Sequence, residues 1–143
     1  MLFRSRVEVP ASRIIITSGA SGALLLAIGV LIGAGDEALM ADPGYPCNRN
    51  FVRMMGGVPA EVPVGAESAY QLLPEMVERH WNARTRAVIV ASPSNPTGTL
   101  MPQDSLRGIA GIASERNGAL IVDEIYQGLV YEGDAGKIGR AHV

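Results

Sequence analysis

Two apolar runs that stop abruptly at polar residues constrain this chain more than any other feature. Residues 87–91, AVIVA, give way to Ser92-Pro93-Ser94-Asn95-Pro96-Thr97-Gly98, and residues 120–122, LIV, give way to Asp123-Glu124-Ile125-Tyr126. A short, wholly apolar run bounded by turn residues reads as a strand buried on both faces, the kind found in parallel sheets. In an open α/β sheet, ligands sit outside the carboxyl ends of such strands. The pattern therefore places an asparagine, an aspartate and a tyrosine where a ligand would lie.

The rest of the chain alternates in the same manner. A β-branched run at 14–17 is expected to be a strand, followed by a helix at 22–32, a strand at 37–41 and a helix at 48–55 closed by Gly56-Gly57. A strand at 58–64 carries Pro59 and Pro63, which point to an edge or a bulge. A helix at 72–81 has Pro74 near its first turn, a strand follows at 86–91, a helix at 104–116 stops at Asn117-Gly118, and the last strand covers 119–122. Strands alternating with helices predict an α/β fold, three layers in αβα order around a mainly parallel sheet. The longest apolar stretch, 23–34, is too short to cross a bilayer and is expected to be a buried helix.

At 143 residues the chain has the size of one domain, and a content of 48% hydrophobic and 18% charged residues is that of a globular protein. The net charge of −2 gives no reason to expect a nucleic-acid partner. The single cysteine, Cys47, excludes an internal disulfide framework and fits a reducing compartment. The opening MLFRSRVEV lacks the apolar core and cleavage site of a signal peptide, so a cytoplasmic location off the membrane is expected.

SNPTG at 94–98 and DEIY at 123–126, supported by TSGASGAL at 17–24 and DPGYP at 42–46, resemble the class I/II aminotransferases, which are fold-type I pyridoxal-phosphate enzymes. The four segments occur in family order. The resemblance implies pyridoxal 5′-phosphate as cofactor, an amino acid and a 2-oxo acid as substrates, and a homodimer. It also implies a much longer parent chain. Residues 1–143 would then be a single, incomplete cofactor-binding large domain, with 134–143 a non-native or disordered tail.

Each matching residue also has a physical reading of its own. Gly19, Ala20 and Ser21 lie where a strand is expected to give way to a helix. Free N–H groups and the helix dipole make such a place an anion site, and the resemblance puts the cofactor phosphate there. Without a ligand, the segment is a tightly packed helix start. Tyr45 lies in a stiff turn of two prolines and a glycine, and a ring held there can stack on a flat heterocycle, as the family's aromatic does. The plain alternative is a tyrosine covering the sheet edge.

Asn95 is held between Pro93 and Pro96, and an amide N–H can donate to a phenolate oxygen. The resemblance assigns it to the cofactor's 3-oxygen and suggests a cis Asn95–Pro96 bond. Asp123 directly follows an apolar strand, where a carboxylate needs a partner. A pyridinium N–H would be one, and Tyr126 would add a bond to the 3-oxygen. Capping of the next turn is the simpler alternative for Asp123. Glu124, His80, His142 and Cys47 receive no catalytic role, Cys47 reads as packing, the six methionines read as core filler, and no metal-ligand grouping is visible.

The Schiff-base lysine that such an enzyme needs is missing. Eleven of the basic residues are arginine, and the only lysine, Lys137, lies too close to Asp123 and in the wrong context. No catalytic residue is therefore assigned, and the chain is expected to be inactive alone. Two other readings stand beside this one. ITSGASGAL with Asp42 resembles the nucleotide loop of NAD(P)-binding short-chain dehydrogenases, although Ala23 and Leu25 stand where glycines are needed and no Tyr-x-x-x-Lys is present. The other is a non-catalytic truncated product.

Overall fold

The computed structural model describes residues 9–129. Its core is a four-stranded sheet, β1 Glu37–Asp42, β2 Val58–Pro63, β3 Thr85–Ala91 and β4 Ala119–Asp123, in the order β2-β1-β3-β4. All neighbouring pairs are parallel. Four helices, α1 Gly19–Leu31, α2 Pro46–Met54, α3 Pro74–His80 and α4 Gln103–Glu115, flank it.

Period-two alternation along the strands sends successive side chains to opposite faces, and two separate cores result. Ala38, Met40, Ala87 and Ile89 pack with Ile28 of α1 and Val52 of α2. Leu39, Val88 and Val90 pack with Val77 of α3 and with Leu106 and Ile109 of α4. The architecture is the expected αβα sandwich.

The topology also fixes where a ligand can sit. The chain leaves β1 for β2 through α2 on one face, then returns past β1 to β3 and β4 through α3 and α4 on the other face. Reversing direction while changing faces keeps the crossover handedness constant. It also opens a crevice between β1 and β3 at their carboxyl ends, the switch point of such a sheet.

Local signals account for most boundaries. Pro46 and Pro74 begin α2 and α3, where their missing N–H groups cost nothing. Gly56, at φ +77°, and Asn117, at φ +54°, reverse the chain after α2 and α4. Pro59 lies in β2, which is an edge strand.

Three expectations need correction. Residues 14–17 form no strand: a 3₁₀ turn at Ala11–Arg13 leads into unpaired backbone, and Ile15 and Ile16 are exposed. β-branching favours extension, but a strand needs a partner, and none lies beside this segment among the described residues. Helix α1 is not buried all round. Leu24 and Ile28 face the sheet, whereas Leu26 is 58% and Val30 86% exposed, because the sheet covers one side of the helix only. The methionines are not uniformly core either: Met40 and Met101 are buried and Met54 is exposed.

A candidate cofactor cleft

The residues singled out from the sequence converge on one cleft of about 240 Å³ at the carboxyl end of the sheet. Gly19, Ala20 and Ser21 form one wall, Tyr45 and Asn95 reach in from the loops after β1 and β3, and Asp123 and Tyr126 come from the end of β4. These segments are far apart in sequence and meet only because β1, β3 and β4 are adjacent and parallel.

The wall at α1 is a helix start with its N–H groups directed outward. Gly19 takes φ +79°, a conformation that favours glycine. Thr17 Oγ1 donates to Gly19 O at 2.9 Å, and Ser18, the N-cap, makes no side-chain capping bond. The leading amides of α1 therefore have no side-chain acceptor, and the positive end of the helix dipole faces the cleft.

Asp123 follows Ala119 and Ile121 on the sheet face that packs toward α1. Its Oδ1 accepts from Ile125 N at 3.0 Å, which fixes the carboxylate as the chain turns toward Tyr126. The loop after β3 is tied down at several points. Ser94 N donates to Thr99 O at 2.9 Å and Gly98 N to Ser94 O at 2.8 Å. The Asp42–Pro43, Ser92–Pro93 and Asn95–Pro96 bonds are cis.

Sequence reasoning missed Gln71. Buried to 3% exposure, its Nε2 donates to Thr99 O at 2.9 Å, Thr99 Oγ1 at 3.2 Å and Ala91 O at 3.3 Å, which clamps the loop that carries Asn95. No motif marks this residue, which lies in a turn before α3. Cys47, read as packing, stands beside the Tyr45 phenol. The hydrogen bond with Cys47 is the main reason that the phenol is held above its ordinary value, and one with Ser21 opposes it. Tyr45 therefore remains a neutral ring with its hydroxyl engaged at the cleft edge.

The dehydrogenase reading does not fit this geometry. A dinucleotide loop joins a strand to a helix, and no strand precedes α1 among the described residues. Asp42 accepts from Arg49 at 3.4 Å, and the same guanidinium reaches Glu61 at 3.2 Å, which ties α2 to the ends of β1 and β2. His80 is exposed, and its Nδ1 lies 2.8 Å from Met76 O; among the described residues no group of three or more His, Cys, Asp or Glu side chains is arranged to hold a metal. No helix there is long and apolar enough to cross a membrane. Lys137, His142 and the tail at 134–143 lie outside the described residues.

Comparison with known proteins shows the family. The sequence profile for aminotransferase class I and II matches residues 2–143. The chain is 41% identical over 130 residues to a valine–pyruvate aminotransferase of Mycobacterium tuberculosis, covering 91% of this chain and 33% of that protein. It is 37% identical over 141 residues to a probable aspartate/prephenate aminotransferase of Aquifex aeolicus, covering 99% and 36% respectively. Among solved structures, an aminotransferase from Mycobacterium tuberculosis superposes with a TM-score of 0.86 at 41% identity, over 91% of this chain and 33% of that one. Thermus thermophilus aspartate aminotransferase with maleate gives 0.80 at 36% identity, over 87% and 33%. The chain thus spans about a third of the length of these relatives. It belongs to the class I and II aminotransferase family.

Proposed function

We propose that this chain is the cofactor-binding part of a pyridoxal-phosphate-dependent aminotransferase that moves an amino group between an amino acid and a 2-oxo acid. The observation that carries the reading is the convergence of Gly19, Ala20, Ser21, Tyr45, Asn95, Asp123 and Tyr126 on one cleft. The donor set fits the cofactor. A helix N-terminus without a side-chain cap suits a phosphate dianion. A carboxylate held by Ile125 N suits a ring nitrogen that carries a proton.

When bound, pyridoxal phosphate supplies an electron sink for a substrate carbanion. The chain's own residues would prepare that chemistry. The amides of Gly19, Ala20 and Ser21 would anchor the phosphate, and Tyr45 would cover one face of the ring. Asn95 and Tyr126 would donate to the 3-oxygen. Asp123 would hold the proton on the ring nitrogen, because a nearby negative charge favours the protonated form.

A lysine is needed to carry the cofactor covalently and to shuttle the substrate proton. Lys137 is the chain's only lysine, and its spacing and flanking residues do not suit the role. The isolated chain would then be an inactive half-site, with cytoplasmic location and dimerisation belonging to the parent enzyme. Incubation with pyridoxal phosphate, borohydride reduction and intact mass tests this. The expected result is no specific adduct and no transamination. An adduct mapped to Lys137, or specific turnover by the chain alone, would overturn it.

A further inference from the structure

A second, smaller cavity of about 30 Å³ lies behind the cleft at the switch point between β1 and β3. Tyr45, Ala91 and Asn95 line both spaces, so Asn95 stands in the wall between them. The far side of the small cavity is formed by Asn48 and Arg49, in the first turns of α2. Asn48 is 7% exposed, and its buried Oδ1 has no hydrogen-bond partner among the described residues. The neighbouring Arg49 Nε is likewise buried and unpartnered among them, although its terminal nitrogens reach Asp42 and Glu61.

A third buried orphan, Glu61 Oε1, lies 3.9 Å from an Arg53 terminal nitrogen and does not belong to the lining of this space; of the two residues that do, one presents an unpartnered acceptor and the other an unpartnered donor. Buried polar atoms of this kind are normally satisfied by protein or by ordered water. A cavity of 30 Å³ has room for roughly one or two waters, each of which makes two to four hydrogen bonds. A single water would donate to Asn48 Oδ1 and accept from Arg49 Nε.

We propose that this cavity is an ordered-water site through which Asn48 positions the side-chain amide of Asn95. The water's second hydrogen reaches the Asn95 carbonyl oxygen, which turns the Asn95 NH₂ toward the cleft. In this arrangement Asn48 touches neither cofactor nor substrate and acts through Asn95. The water site stands on the cavity and the two orphaned atoms; the role given to Asn95 rests on the cofactor reading above. The occupant is water, which a space of about 30 Å³ admits and the unpartnered acceptor and donor suit.

The test combines a high-resolution crystal structure of the chain with pyridoxamine 5′-phosphate titrations, since that probe needs no lysine. The expected structure shows a solvent peak within hydrogen-bond distance of Asn48 Oδ1, Arg49 Nε and Asn95. Asn48→Ala removes the acceptor and is expected to weaken pyridoxamine phosphate about two- to tenfold, the effect of one net hydrogen bond. Asn48→Asp keeps an acceptor beside Arg49 and is expected to retain wild-type affinity. An empty cavity, a protein donor on Asn48 Oδ1, or equal affinities for wild type and Asn48→Ala would overturn the proposal. Failure of the folded wild-type chain to bind the probe would instead reject the cofactor reading, leaving the crystallographic peak to decide the water site.

Discussion

Ser92 N donates to the carbonyl oxygen of Asp123 at 3.0 Å, directly beyond the last register pair of β3 and β4, Ala91 and Asp123. This bond makes the loop that holds Asn95 continuous with the strand end that holds Asp123. The two side chains proposed to bind the ring nitrogen and the 3-oxygen of the cofactor are thus set by one ladder of parallel pairing, and not by loops placed independently.

Ser92 contributes a second tie, since its buried Oγ accepts from Met101 N at 2.9 Å. Ser92→Ala leaves that N–H buried without its acceptor. The expected destabilisation is about 1–3 kcal/mol, read from urea unfolding. A midpoint unchanged from wild type would show that the loop is held by other means.

Two glycines of α4 respond oppositely to the same substitution. Helix propensity alone favours alanine over glycine by about 1 kcal/mol. At Gly111 a Cβ would meet nothing within 4 Å, so Gly111→Ala is expected to stabilise the chain by about 0.5–1 kcal/mol. At Gly108 the Cβ would lie 2.8 Å from Cγ of Pro74, a ring fixed to the start of α3. Overpacking there is expected to cost about 1–3 kcal/mol and to reverse the sign. Thermal unfolding of the pair checks this, and equal shifts would contradict the α3–α4 packing.

Burial separates two further substitutions. Ile109 is fully buried between α4 and the sheet, and Ile109→Ala is expected to cost about 2–5 kcal/mol. Val30 is as apolar but 86% exposed, and Val30→Ala is expected to change stability by no more than about 0.5 kcal/mol. A comparable loss at Val30 in dilute solution would mean that the outer face of α1 is covered.

The strands were legible because a doubly covered parallel strand is a continuous apolar run ending at turn residues, as at Ala91 and Asp123. The same property misled at α1, where an all-round apolar helix suggested burial that one sheet face cannot provide. Residues 14–17 failed as a strand because propensity cannot supply a pairing partner. Asn95, Asp123 and Tyr45, which line the cleft, stand out in the sequence because they sit in motifs at strand ends. Gln71 and Asn48 do not, because what marks them is a long-range hydrogen bond and an orphaned atom, neither of which has a local signature.

The cleft between the start of α1 and the ends of β3 and β4 is proposed to bind a pyridoxal phosphate ring through Asp123. Calorimetric titration of the folded chain with pyridoxamine 5′-phosphate, wild type against Asp123→Asn, tests it most directly. Saturable one-site binding is expected, weakened about tenfold or more in the variant, the scale of a lost charge-assisted hydrogen bond. No binding by the folded wild type, or the same affinity in both, would contradict it.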